Sequence, residues 1–288
     1  MDKFNGLSLE AHRIASIPQI ENLMAKHSYY HAANMNSNEL EDLWSKEQPE
    51  EITWQQNFGM WRSMNHIYKY YGEGHDVTGE ALREQIIEAK PELKEELMAP
   101  DIDVRRLVEM PTHTLTTSII EVAEDGMSAK GLWYTPGYAL RRNYLQDSAS
   151  AAWMWEKYGA DFVWENGEWK FLHIQIGMDI MGNYGDSWAE PKHPMGGPGG
   201  PGGPGPGGPG GPGGPGGAPG GPTPEQKKPE APVGKDGKKL KVAPSMGGGM
   251  SQPPDGPGKY QVYSRTRVPT EYPRIPEPYE SLDKTFSY

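Results

Sequence analysis

Apolar positions recur three and four residues apart near the start of the chain, which predicts one long amphipathic helix. We expect this helix to begin near Pro18, because proline is favoured in the first helical turn, where its missing N–H costs nothing. The first half of the inward face is apolar and the second half is polar. That face consists of Ile17, Ile20, Leu23, Met24, His27, Tyr30, His31 and Asn34. The polar half needs an explanation, because a face that packs on a core is normally apolar.

Shorter helical patterns follow the first one. A second helix should be capped by Ser37 or Asn38, whose side chains can accept a bond from the first turn. A third helical pattern should end at Gly72, since glycine favours a helix terminus. Residues 79–98 read as a charged helical pair that Pro91 interrupts.

Beyond Pro111 the pattern changes to alternation with β-branched and aromatic residues, which predicts strands. Glu124-Asp125-Gly126 and Asn166-Gly167 are strong hairpin turns. Residues 110–122 read as one strand. Its predicted shared face carries His113, Leu115, Thr117 and Ile119. The sequence therefore predicts an α+β fold in which a curved antiparallel meander wraps around the long N-terminal helix.

Composition divides the chain into parts. Residues 1–190 hold the periodic patterns and form one predicted domain, with a helical excursion at 73–109. Residues 196–222 contain only Gly, Pro and one Ala, so they cannot fill a core, and 191–259 are predicted to be a flexible linker. Glycine in this block keeps the collagen period, but the run is short and a second glycine often takes the place of a stiffening proline. We therefore favour a tether over a triple helix.

Residues 260–288 are rich in tyrosine and proline. This composition favours an extended arm that docks on this or a neighbouring subunit, because proline lowers the entropy lost on ordering. One form of this hypothesis is an arm that acts as a lid. The alternative is a disordered tail.

The net charge of the chain limits the kinds of partner that it is expected to bind. The 288 residues include 28 Lys or Arg and 39 Asp or Glu, a net charge of −11, which argues against binding to nucleic acid or an anionic membrane. The absence of cysteine excludes disulfides and thiolate sites. No apolar run suits a signal peptide or a membrane-spanning helix. We expect a soluble cytoplasmic protein with a small-molecule partner.

Imidazole and phenol groups are the candidate chemistry. His27 and His31 share a helical face with Tyr30, and His113 lies on a strand that could face the same interior cavity. A neutral imidazole can exchange a proton near pH 7, and a phenol can donate a hydrogen bond to an oxygen that gains negative charge. This pairing suits enolisation, dehydration or retro-aldol cleavage.

Several candidate residues also have a purely structural interpretation. His27 and His173 can be packing histidines, Tyr30 and Tyr158 can be core aromatics, and Glu156 can pair with a basic neighbour.

Other kinds of site are disfavoured. His27, His31 and His113 could supply three nitrogens, but no acidic cluster or HExxH motif accompanies them, so no metal is predicted. No glycine-rich loop opens a helix after a strand, and no GxSxG motif occurs. Nucleotide-dependent and serine-hydrolase chemistry are therefore not expected.

Three segments together resemble the SnoaL-like branch of the nuclear transport factor 2-like superfamily. They are YYHAANMNSNELEDLW, THTLTTSIIEVAEDGMSAKG and YGADFVWENGEWKFLHI, in a match over roughly residues 15–182. The family includes scytalone dehydratase, ketosteroid isomerase, bile-acid dehydratase and lyases of aryl propane compounds. The resemblance implies a cone-shaped α+β barrel and proton transfer in a pocket without an organic cofactor.

The resemblance also assigns residues. His113 falls where dehydratase-like members carry a catalytic strand histidine, and the family's first-helix tyrosine is matched by Tyr30 or His31. The nearby carboxylate of the family is matched by Asn36 or Asn34. An asparagine cannot hold an imidazolium as a carboxylate does, so His113 would need another group to orient it.

These observations predict a lyase in which His113, helped by His31, is the acid and base, while Tyr30 and Tyr158 polarise a substrate oxygen. The substrate should be neutral and aromatic or polycyclic, with loss of water or carbon-carbon cleavage to a small aldehyde as the reaction; isomerisation is less favoured. Predicted substrate contacts are Asn34, Asn36, Tyr158, Glu156, Trp54, Trp133 and His27. The alternative is a non-catalytic protein that binds a hydrophobic small molecule or a protein. We expect a homodimer or homotrimer.

Overall fold

The computed structural model describes residues 3–57, 59–100, 102, 104, 107, 109–144, 147–187, 189, 252–258, 263 and 272–282, with backbone alone at 73–78, 109 and 143. The linker predicted at 191–259 lies outside the described residues apart from 252–258.

The long N-terminal helix α1 spans Leu9–Ala32, so the expected start near Pro18 is wrong. Ser8 is the N-cap, and its Oγ accepts a hydrogen bond from Ala11 N at 3.2 Å. This bond satisfies one of the orphan N–H groups of the first turn and fixes the start of the helix. Pro18 lies inside α1 on the exposed side. The buried face of α1 includes Ile20, Leu23, Met24 and His27.

A tight turn joins α1 to the second helix. Asn34 has a φ of 55°, and Met35 N donates to Tyr30 O at 2.9 Å. Helix α2 then spans Asn36–Leu43 with Met35 at the cap position, so the predicted caps Ser37 and Asn38 are wrong and lie within the helix. The turn geometry, rather than a capping side chain, sets where α2 begins.

The middle of the chain forms a hairpin and then short helical pieces. These are β1 Thr53–Gln56, β2 Gly59–Arg62, α3 Met64–Ile67, a π-helical turn Tyr68–Gly72, α4 Glu73–Ala89, a 3-10 turn Pro91–Leu93 and α5 Lys94–Leu97. The π-helical turn ends at Gly72, as predicted for the third helical pattern, but the helical run continues because Gly72 is also the N-cap of α4. The predicted break at Pro91 is confirmed. Ile86, Leu97 and Val104 form a small core of their own.

The strands of the second half are β3 Glu109–His113, β4 Thr116–Val122, β5 Ser128–Asn143, β6 Ser148–Glu165 and β7 Glu168–Asn183. The prediction of a single strand over 110–122 is wrong, because β3 ends at His113 and β4 begins only at Thr116. Thr117 has a φ of 48°, and the pairing of β4 with β5 shifts register beside it. The predicted shared face is lost: His113 is buried, whereas Thr117 and Ile119 are exposed.

The strands form one sheet in the order β2-β1-β7-β6-β5-β3, with β4 also paired to β5. Strands β4 to β7 are the predicted antiparallel meander, and β1 adds a parallel pairing with β7. The turn residues Asn166 and Gly167 both have positive φ, as a tight hairpin requires. The architecture is the predicted α+β plan, with a curved, unclosed sheet beside α1.

Large aromatic residues fill the core. Trp44, Trp54, Phe162 and Phe171 are almost fully buried there. Within the described part of the chain, we find no helix with the length and apolar character needed to cross a bilayer.

The described parts of the C-terminal arm contact the sheet of the same chain. Tyr279 O and Glu280 O accept hydrogen bonds at 3.0 Å from the backbone of the β4–β5 turn. The Tyr279 hydroxyl lies 3.0 Å from Ser128 Oγ. Tyr263 N donates to Asp179 O on β7 at 2.8 Å. Among the described residues, the hydrogen bonds of the arm do not reach His113.

Candidate functional site

Three histidines converge between α1 and the sheet. His27 and His31 lie on successive turns of α1, with ring centroids 6.3 Å apart, and the His31 and His113 centroids are 5.2 Å apart. The end of β3 is held against α1 because Ser28 Oγ donates to His113 O at 2.7 Å. The helix and the strand thus bring imidazoles together from distant parts of the sequence.

Glu156 on β6 supplies a carboxylate beside His113. Its Oε2 lies 2.9 Å from His113 Nδ1, and both side chains are buried. The two atoms are at ion-pair distance without a well-angled hydrogen bond between them, and neither atom has a hydrogen-bond partner among the residues that the structure describes. Glu156 therefore pairs with a basic neighbour, and that neighbour is His113. A carboxylate thus lies beside His113, although Asn34 and Asn36 supply none.

Tyr158 lies two residues along β6 on the same face. Its ring centroid is 5.8 Å from that of His113 and 5.7 Å from that of His27. Burial raises the pKa of Tyr158 well above its usual value, and the charge of Glu156 and a hydrogen bond to it raise the pKa further. The hydroxyl group therefore keeps its proton at neutral pH.

Glu39, on α2, is a site residue that the sequence reasoning missed. This fully buried carboxylate binds His27 Nδ1 at 2.8 Å and Trp44 Nε1 at 3.1 Å through Oε1, and the Tyr71 hydroxyl at 2.7 Å through Oε2. The sequence signal that could have identified Glu39 is the helical spacing of the residues around it. Asn36, Glu39, Leu40 and Leu43 share the buried face of α2.

Tyr71, at the end of the π-helical turn, is the second missed residue. Its oxygen lies 3.2 Å from His31 Nδ1, and its ring stacks on Trp54 with centroids 4.1 Å apart. Asn36 Nδ2 donates to Tyr71 O at 3.1 Å. Burial, followed by the charge of Glu39 and the hydrogen bond to it, raises the pKa of Tyr71 well above its usual value.

Tyr30 is not brought into this cluster. Its hydroxyl donates to Asp42 Oδ2 at 2.6 Å on the exposed side of the helix pair, and this bond is the main cause that raises the pKa of Tyr30. Residues adjacent on a helix point about 100° apart, so Tyr30 turns away where His31 turns inward.

The other predicted contacts, and His173, lie in different surroundings. Trp54 stacks on Tyr71, and Trp133 pairs across β5 and β6 with Tyr158. Asn34 is buried, and none of the described residues hydrogen-bonds its Nδ2. His173 instead bonds Asp161 Oδ2 at 2.8 Å and Glu51 O at 3.1 Å, which confirms its structural interpretation.

The arrangement suits proton transfer. It sets three imidazoles beside two buried carboxylates and two phenols that keep their protons. Among the residues that the structure describes, no three His, Asp or Glu side chains are arranged to hold a metal ion.

No protein-family model and no curated protein matches this chain. Solved structures do match. A putative scytalone dehydratase from Novosphingobium aromaticivorans is 14% identical, with a TM-score of 0.38 over 63% of this chain and 95% of that one. A hexachlorocyclohexane dehydrochlorinase, LinA-type3, from Novosphingobium barchaimii is 12% identical, with a TM-score of 0.39 over 62% of this chain and 96% of that one.

A nuclear transport factor 2-like superfamily protein from Salmonella enterica also matches. It is 11% identical, with a TM-score of 0.38 over 59% of this chain and 96% of that one. The superfamily that the sequence resembles is thus represented among the matching structures. At TM-scores below 0.5, this likeness carries no argument about the activity.

Proposed function

We propose that the protein is a cofactor-independent lyase in which His113 transfers a proton to or from a small neutral substrate. The buried pair of His113 and Glu156, with 2.9 Å between Nδ1 and Oε2, is the observation that carries the proposal. A carboxylate beside Nδ1 favours the proton on that nitrogen and stabilises the imidazolium that forms when Nε2 takes a second proton. Nε2 of His113 is therefore the proposed base.

In a dehydration, His113 takes the proton from a carbon next to a carbonyl group. The electrons of that C–H bond form the new double bond, and the C–O bond on the neighbouring carbon breaks. A proton from His31, as the imidazolium, joins the leaving hydroxide to form water. Tyr158, whose hydroxyl donates to Glu156 in the free protein, turns this hydrogen bond to the carbonyl oxygen as that oxygen gains charge.

Carbon-carbon cleavage would use the same groups. His113 takes the proton of a hydroxyl group, an aldehyde leaves as the C–C bond breaks, and the resulting carbanion receives a proton from the cluster. Two buried carboxylates, Glu39 and Glu156, disfavour an anionic substrate through charge repulsion. Trp54 and Tyr71 offer stacked aromatic surface, which favours a flat aromatic or polycyclic substrate.

A second candidate function is ligand binding without turnover. Three buried polar atoms near the cluster have no hydrogen-bond partner in the described part of the chain: Asn34 Nδ2, Asn36 Oδ1 and Trp54 Nε1. Such atoms are costly unless something satisfies them, and polar groups of a bound small molecule would do so. The predicted homodimer or homotrimer stays a prediction under either function.

The test begins with a screen of neutral aromatic and polycyclic hydroxy ketones for binding and turnover. For a substrate found in this way, His113→Gln should lower kcat by about 10² to 10⁴-fold while the Kd changes little, because general acid-base catalysis contributes that much. His66→Gln, at an exposed histidine that pairs with Asp255, is the matched control and should keep full turnover. Unchanged turnover in His113→Gln would contradict the lyase proposal, and tight binding without turnover in the wild type would favour the carrier.

A further inference from the structure

Glu39 bonds His27 directly and is linked to His31 through the Tyr71 hydroxyl. Three groups point at its carboxylate: Trp44 Nε1 and His27 Nδ1 at one oxygen, and the Tyr71 hydroxyl at the other. The indole N–H can only donate, which identifies the carboxylate as the acceptor. Because Tyr71 keeps its proton, its hydroxyl is the donor in the 2.7 Å contact with Oε2.

The direction of that bond decides how Tyr71 meets His31. A phenol has a single proton, and the proton of Tyr71 is directed at Glu39. In the 3.2 Å contact with His31 Nδ1, the Tyr71 oxygen must therefore accept. His31 can donate there only if Nδ1 carries a hydrogen, which places the lone pair of the neutral ring on Nε2.

We propose that Tyr71 and Glu39 are positioning residues that hold His31 as its Nδ1–H tautomer. The tautomer follows from the hydrogen bonds alone, whereas its use in catalysis rests on the lyase function proposed above. His31 then matches His113, whose Nδ1 lies beside Glu156. The ring centroids are 5.2 Å apart and the ring planes are tilted by 36°. With Nδ1 protonated in both rings, proton transfer uses Nε2 of each: a neutral ring removes a proton there, and the other ring delivers one as the imidazolium.

Nitrogen-15 NMR of the full-length protein labelled at histidine tests the tautomer without any substrate. Long-range proton-nitrogen correlations distinguish a protonated ring nitrogen from one with a lone pair, and His31→Gln assigns the His31 signals. We expect Nδ1 of neutral His31 to be protonated in the wild type. In Tyr71→Phe, which keeps the ring that stacks on Trp54, the signals should shift towards the Nε2–H form.

Tyr70→Phe is the matched control. It removes a neighbouring phenol oxygen, whose partner is Gln56 Oε1 at 2.7 Å, and should leave the His31 pattern unchanged. An Nε2–H form in the wild type would overturn the inference. A pattern unaffected by Tyr71→Phe would overturn it as well.

Activity provides a second, separable readout. With a substrate from the screen, Tyr71→Phe should lower kcat by about 10-fold to 10⁴-fold at a nearly constant KM, since a wrong histidine tautomer is that costly in a carboxylate-histidine pair. An Nδ1–H tautomer in a protein without turnover would uphold the positioning role and refute the lyase. Turnover together with an Nε2–H tautomer would refute the positioning role alone.

Discussion

At the scale of single residues, Asp179 shows how burial changes acidity. It lies on β7, with its Oδ2 3.5 Å from Lys157 Nζ. Burial raises the pKa of Asp179 to about 6, although the charge of Lys157 and a hydrogen bond from it act in the opposite direction. The folded protein therefore prefers the protonated carboxyl group more strongly than the unfolded chain does.

This difference predicts a pH-dependent stability. An unfolded Asp has a pKa of about 3.9. The stabilisation linked to the raised folded pKa is fully present below about pH 4 and is lost as the pH rises through about 6. Asp179→Asn cannot ionise, so its Tm relative to wild type should rise between pH 4 and pH 8 in thermal denaturation. Asp179→Ala should show the same trend from a different starting value, and a Tm difference that stays constant with pH would contradict the prediction.

Part of the site was predictable, since Glu156 and Tyr158 are two of the predicted contacts and residues two apart in a strand share a face. Glu156 and Tyr158 share a face of β6 and do lie beside His113. Spacing could not find Glu39 or Tyr71, because their roles depend on where a short helix and a π-helical turn lie against α1. Periodicity gives direction within one element, whereas a contact needs the distance between elements.

At the scale of elements, the pairing of β3 with β5 sets the position of His113. Gly137 on β5 is the register partner of His113. A Cβ atom at Gly137 would lie 2.1 Å from Thr112 O, which is backbone and cannot rotate away. The close approach of the two strands thus requires glycine at this position.

Gly137→Ala should therefore push β3 from its place. We expect a loss of about 2 kcal/mol or more in the free energy of unfolding, measured with urea, because strand backbone must move. The NMR signals of the His113 ring should shift in the same variant. Gly185→Ala is the control, because a Cβ there meets no atom within 4 Å, and its stability should stay within about 0.5 kcal/mol of wild type. A Gly137→Ala protein with wild-type stability would show that the strands separate at little cost.

Secondary-structure elements could be predicted where a short sequence pattern is compatible with only one backbone conformation. The turn at Asn166-Gly167 and the helix break before Pro91 are such cases, since both depend on backbone conformations that few residues adopt. The start of α1 was not, because Pro18 is a good first-turn residue but Ser8 provides an earlier cap, and an exposed proline is tolerated inside a long helix that packs on a core. The break after His113 depends on register against β5, which no local pattern encodes.

At the scale of the whole molecule, composition separated a packed domain from a Gly/Pro segment and an aromatic arm. It could not say where the arm docks. Besides the hydrogen bonds at the β4–β5 turn, Tyr279 contacts β5 through its ring, whose centroid lies 5.1 Å from Lys130 Nζ. Leu282 packs against the core. These contacts tie residues 279–282 of the arm to the chain's own domain at the β4–β5 turn.

Deletion of residues 260–288 should consequently destabilise the domain. The backbone N–H groups of Glu124 and Asp125 would lose their acceptors, and Ser128 Oγ and Asp179 O would each lose a partner. At about 1 kcal/mol for each hydrogen bond, partly replaced by water, Tm should fall by about 5–10 °C. Shortening the segment 196–222 is the matched control and should leave Tm unchanged, because glycine and proline alone bury little apolar surface. If Tm is unchanged after the arm is removed, the contacts at the β4–β5 turn contribute nothing to stability. The lid hypothesis makes a separate prediction, because only a lid would make a bound ligand dissociate faster from the truncated protein at temperatures well below its Tm.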